Sequence, residues 1–253
     1  MIRLRSKGCE SVFLERERNI DVFQRRVKVT MCGRYSLIFI DDLGKRFRIF
    51  DPSLGIRSHF NIAPSQMMPV IVQQHEQVEM VMMQWGLIPH WVKDPKKSMH
   101  PINARAETLA EKPMFRSLLK NKRCLIPASG FYEWKKDGTR KIPYYIHLRE
   151  SSLFAFAGLY DVWYDAFNEA HSTYTIITTD ANELMSTLHD RMPVILKRED
   201  ENRWLAGDAP IFDEMKKILG PYPPDEMDVY PVSSRVNSPA VDDEQLIQPL
   251  VTL

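Results

Sequence analysis

From residue 32 onward the chain is a succession of short runs rich in β-branched and aromatic residues, each bounded by Pro, Gly or Asn. That punctuation constrains the fold more than any other feature. Runs at 35–39, 70–72, 78–85, 123–126, 144–148, 154–160 and 172–179 read as strands of a mainly antiparallel sheet. Apolar spacing with a helical period intervenes at 40–47, 109–120, 181–188, 199–205 and 211–219, so the class expected is α+β. Pro221-Tyr222-Pro223-Pro224 marks a surface loop. No repeat or Gly/Ser linker divides the region, which reads as one domain over 32–236 with a tail at 237–253. The first thirty residues alternate charges without a strong period. They read, with Met31, as an upstream extension absent from the mature protein, whose true start is expected at Met31.

Charge decides little: 34 Lys and Arg stand against 33 Asp and Glu, so any grip on a polyanion has to come from a local basic groove. The three cysteines, Cys9, Cys32 and Cys124, form no CxxC pair, which suits a reducing, cytoplasmic setting better than a disulfide framework. No apolar run approaches a membrane span, and the first thirty residues lack the apolar core of a signal peptide. The seven histidines show no HExxH spacing, so neither a metal nor a cofactor is expected.

The residue with the most unusual chemical option is Cys32, directly after Met31. Removal of that methionine leaves an α-amine beside a thiol. The amine, with a reference pKa of about 7.7–8.0, is far more often unprotonated near neutrality than a lysine at about 10.4. It attacks an aldehyde to give an imine, and the adjacent thiol closes a five-membered thiazolidine, a step favoured by proximity. Asn103 and Arg105, two apart on an extended segment, share one face and can set an amide and a guanidinium beside a phosphorylated reactant. Glu133 sits among Phe131, Tyr132 and Trp134, where an apolar setting raises a carboxyl pKa into the range of a general acid-base. His189 stands next to Asp190 and Arg191, and imidazole is the side-chain type best suited to proton transfer near neutral pH. The loop Trp85-Gly86-Leu87-Ile88-Pro89-His90-Trp91 and the aromatic residues around Glu133 offer faces on which bases of a single strand stack, with basic residues for phosphates. Each of these features has an ordinary structural reading when taken alone, as a buried cysteine, a solvated loop or a core tryptophan.

Taken in order, Met31-Cys32-Gly33-Arg34-Tyr35, Asn61-Ile62-Ala63-Pro64, Trp85-Gly86-Leu87-Ile88-Pro89, Asn103-Ala104-Arg105-Ala106-Glu107-Thr108, Pro127-Ala128-Ser129-Gly130-Phe131-Tyr132-Glu133-Trp134, Phe156-Ala157-Gly158-Leu159-Tyr160 and His189-Asp190-Arg191-Met192-Pro193 resemble the SOS response-associated peptidase (SRAP) family. The resemblance implies a distorted antiparallel β-barrel of two twisted sheets flanked by helices. It also implies a monomer with a basic groove for single-stranded DNA containing abasic sites, at the nucleoid when bound. Cys32 would form the covalent crosslink. Asn103, Glu133 and His189 would complete the catalytic set, and Arg34, Pro64, Trp85, Arg105 and Trp134 would contact the DNA. Autoproteolysis of the preceding segment, and a lyase side activity, follow from the same likeness. Two alternatives remain open at this stage: a thiol peptidase acting on other proteins, and a non-catalytic single-strand binding module.

Overall fold

The computed structural model describes residues 32–49, 56–74, 77–206 and 212–250, and the expected extension at 1–31 lies outside the described residues. The strands are β1 (Tyr35–Leu37), β2 (His59–Ile62), β3 (Met67–Gln74), β4 (Gln77–Trp85), β5 (Asn103–Arg105), β6 (Arg123–Ala128), β7 (Gly130–Asp137), β8 (Arg140–Leu148), β9 (Phe154–Tyr164), β10 (Ala170–Asp180), β11 (Arg191–Pro193) and β12 (Met227–Pro231), and the seven expected runs fall on β1, β3, β4, β6, β8, β9 and β10. One sheet has the order β12-β8-β7-β1-β2 and is antiparallel throughout. The other runs β11-β10-β4-β3-β6-β9 with β5 attached to β10. Because β9 also pairs with β10, five of its strands close on themselves and leave no edge along that ring.

The closed barrel is mixed where the strand pattern suggested antiparallel pairing. Strand β10 runs parallel to β4, with Thr173 opposite Gln84, and parallel to β5, with Ile176 opposite Asn103. Hydrophobic alternation gives a strand its faces but not the direction of its neighbour. The interior is tight at Gly158 on β9, where an added Cβ would overlap Ile126 Cδ1 and press on the Thr175 carbonyl. The core of this sheet packs Tyr35, Trp85, Phe156 and Tyr174 with their rings edge-on or stacked.

Helices are short. The helical run expected at 109–120 starts only at Pro113, which lacks an N–H and begins a helix where it cannot continue one, and it is split at Ser117 into Pro113–Arg116 and Leu118–Asn121. The tail beyond residue 236 is not separate from the domain. Asp242 accepts the backbone N–H groups of Phe60 and Asn61 at 2.6 and 3.1 Å, Leu246 is fully buried, and the Leu250 N–H reaches the Pro231 carbonyl. Among the described residues no helix is long and apolar enough to cross a membrane.

Candidate active site

Strand β1 is an inner strand of the first sheet, held between β2 and the central β7. Its register with β7 pairs Tyr35 with Phe131, and the Tyr132 N–H donates to the Arg34 carbonyl. Continuing that register sets Gly33 opposite Glu133, so Cys32, one residue further on, comes within reach of the Glu133 side chain. There the Cys32 backbone N–H donates to Glu133 Oε1 at 2.6 Å. Both residues are buried, with 4% and 3% of their surface exposed, which makes a charge-assisted contact in a low-dielectric setting. Glu133 faces inward because residues alternate along β7: Phe131 and Glu133 share one face, Tyr132 and Trp134 the other.

Burial dominates the electrostatics of this pair. It pushes the Glu133 carboxyl above its ordinary value; the hydrogen bond from Cys32, the charge of His189 and the backbone N–H groups of Cys32 and Trp134 pull the other way without cancelling it. Burial likewise pushes the Cys32 thiol well up, reinforced by the charge and hydrogen bond of Glu133 and opposed by Arg191. The thiol is therefore held neutral while the carboxyl beside it stays poised to exchange a proton.

His189 arrives from the other sheet. Asn182 caps the helix Glu183–Ser186 by accepting the Met185 N–H at 2.8 Å, and the His189 N–H closes that helix on the Met185 carbonyl. Its ring Nδ1 is engaged inside its own loop, 3.1 Å from the Arg191 N–H and 2.8 Å from Asp190 Oδ1. Arg191 then fastens the loop to its surroundings. Its side chain, 9% exposed, forks onto both Glu107 carboxylate oxygens at 2.8 and 3.0 Å, and also reaches Asp180 at 2.5 Å and the Thr178 carbonyl at 2.8 Å. Burial raises the Glu107 carboxyl, but the bonds and charge of Arg191, helped by Arg105, outweigh it and hold it below its ordinary value. Thr178 is also the register partner of Arg105, so the same guanidinium links the His189 loop to the strand that carries Asn103 and Arg105. Arg191 lies inside a motif noted in the sequence, and its signal was an arginine among residues of a buried strand, Arg191-Met192-Pro193.

The remaining expected residues divide. On β5, Asn103 is half-buried and Arg105 exposed. Trp134 is half-buried with Nε1 donating to Asn237 Oδ1 at 2.8 Å, and Pro64 is half-buried at the turn before β3. Trp85 departs from the expectation that it meets bases. It is 1% exposed, donates to the Ile102 carbonyl at 2.9 Å and packs on Tyr35 and Tyr174, leaving no open face for stacking. Arg34 is half-buried: its Nη1 donates to Asn61 Oδ1 at 2.7 Å and to the Val236 carbonyl at 2.8 Å, and its Nη2 to the Asn237 carbonyl at 3.4 Å. Its guanidinium ties β1 to β2 and the tail.

The SOS response associated peptidase (SRAP) family model matches residues 31–239. The chain belongs to the SRAP family. It is 47% identical over 222 residues to the abasic site processing protein YoqW of Bacillus subtilis, covering 86% of this chain and 99% of that one. It is 34% identical to the abasic site processing protein HMCES of Xenopus tropicalis, covering 82% of this chain and 75% of the other. Among solved structures, a protein from Bacteroides thetaiotaomicron superposes with a TM-score of 0.79 at 31% identity, covering 87% of this chain and all of that one. The α+β architecture of this SRAP chain is thus shared over nearly its whole described length.

Proposed function

We propose that this protein processes abasic sites in single-stranded DNA by forming a covalent thiazolidine between Cys32 and the aldehyde of the open sugar. The observation that carries the reading is the hydrogen bond from the Cys32 nitrogen to the buried Glu133 carboxyl. In the chain that retains Met31 this nitrogen is an amide, whose lone pair is delocalised; its N–H stands in for the α-ammonium present once Met31 is removed. Glu133 then takes a proton from that ammonium, and the neutral amine adds to the aldehyde carbon. The resulting carbinolamine loses water, its oxygen protonated by the acid form of Glu133 or by His189, to leave an imine. The neutral thiol adds across the C=N bond, its sulfur bonding to carbon and its proton ending on nitrogen. With Nδ1 engaged in its own loop, proton transfer by His189 runs through Nε2. Asn103 orients the amine and sugar, while Arg105, Pro64 and Trp134 contact the strand.

The names of the curated relatives support the lesion class. Burial and Glu133 push the Cys32 thiol upward, whereas a thiol peptidase acting on other proteins works through a depressed thiolate pKa. In this reading peptidase activity is secondary and limited to removing what precedes Cys32. Action as a monomer in the cytoplasm, on damaged DNA of the nucleoid, belongs to the same reading.

Cys32→Ser tests it by keeping the amine and removing the thiol. Protein beginning at residue 32 should form an adduct with abasic single strands that survives denaturation; the Cys32→Ser variant should be trapped only when a hydride reductant is added to fix the imine. An equally stable adduct without reductant would refute ring closure by the thiol.

A further inference from the structure

The strand that delivers Glu133 continues into a β7–β8 hairpin whose tip, Lys135-Lys136-Asp137-Gly138-Thr139-Arg140-Lys141, is exposed at every position. Register pairs Asp137 with Arg140 and Lys136 with Lys141, leaving a two-residue turn with Gly138 at φ 57°. A glycine at the first central position suits such a hairpin turn. The tip therefore projects four cations against one carboxylate, and among the described residues none of the four makes an ion pair.

Two of those cations, Lys136 and Lys141, stand directly opposite each other. Like charges facing across an antiparallel pair destabilise it, so folding alone gives no reason for the arrangement. Alternation from Glu133 places Lys135 on the inward, catalytic face of β7 and Lys136 on the face of Trp134. The tip lies about 14 Å from Glu133, four residues at about 3.4 Å each. That is roughly the length of four stacked nucleotides.

We propose that this hairpin tip is a phosphate-binding arm that grips the DNA strand a few nucleotides from the lesion held at Cys32. The proposal rests on the DNA reading above. Its occupant is a single-stranded polyanion, selected by the charge complementarity of the tip and by the continuity of the β7 strand with Glu133 and Trp134.

The test compares the parent chain beginning at Cys32 with the Lys136→Gln/Lys141→Gln variant, and with Lys136→Arg/Lys141→Arg as the charge-conserving control. Two probes are used: a central abasic site in a strand of about fifteen nucleotides, and one flanked by a single nucleotide on each side, too short to reach the tip. The Gln variant should bind the long strand about tenfold more weakly at low salt. Its log–log salt dependence should be shallower by about 1.4, two phosphate contacts at about 0.7 each. Its adduct rate on the short probe should match the parent, and the Arg control should keep parental affinity and slope. The Gln variant's melting temperature should stay level or rise, since a repulsive pair is removed. Equal long-strand affinity and equal salt slope for parent and Gln variant would overturn the arm. Failure of the parent itself to form any adduct would instead refute the function on which the arm rests.

Discussion

Replacing Arg191 by Ala should loosen the His189 loop by an amount set by what the guanidinium holds. Asp180 is 80% exposed and Glu107 44% exposed, so water recovers much of both ion pairs, and together they contribute about 1 kcal/mol. The Thr178 carbonyl lies within the closed barrel and loses its bond from Nη2; leaving such an acceptor unpaired costs about 1–3 kcal/mol. The sum is roughly 2–4 kcal/mol, equivalent to a drop in melting temperature of about 5–15 °C for a domain of this size. Calorimetry of the parent, Arg191→Ala and Arg191→Lys measures it. Lysine keeps the charge but not the fork onto Glu107, so it should recover part of the loss. Adduct formation should slow in the same order, because Arg191 both accommodates the His189 ring and anchors the segment bearing Asn103. An Arg191→Ala protein that melts within a degree of the parent and reacts at its rate would refute the account of this network.

Trp85→Ala should behave as a core truncation, costing about 3–5 kcal/mol, with the remaining folded fraction binding single strands as tightly as the parent in a gel-shift titration. Glu133→Gln should abolish or strongly slow adduct formation yet stabilise the fold at neutral and alkaline pH. The folded carboxyl pKa is raised, so the native state holds that proton more tightly than the unfolded chain; stability is full below the ordinary carboxyl range and falls as pH rises through the raised value. Thermal melts across pH should therefore show the Gln variant gaining on the parent only on the alkaline side. Cys124→Ala should leave the adduct intact, since that thiol is buried in β6, not adjacent to an α-amine and with burial pushing its pKa well up; loss of the adduct on a gel would contradict the assignment to Cys32.

The longer strands, such as β4, β9 and β10, were legible from their β-branched and aromatic residue types, which a pleated surface favours. The short strands were not: β2, β5 and β11 span three or four residues and exist because a long neighbour pairs with them. The parallel pairing of β10 escaped for a similar reason, since direction is a tertiary property. Within the site, the Cys32–Glu133 contact followed from two motifs that are 101 residues apart and needed the β1–β7 register to bring them together. Trp85 was misplaced because residue type alone does not say whether an indole points into the core or out of it. Arg191 is the opposite case, a basic residue that looks like a surface group and is drawn inward by Glu107, Asp180 and a barrel carbonyl.

The central claim is that a free α-amine on Cys32, beside Glu133, captures an abasic aldehyde. Intact-mass spectrometry of two proteins, one beginning at Cys32 and one retaining residues 1–31, after incubation with uracil-excised single-stranded DNA tests it most directly. The account predicts a species equal to protein plus DNA strand less one water for the first, absent after Cys32→Ala, and only unmodified protein for the second. The same adduct on the chain whose Cys32 nitrogen remains an amide would contradict it.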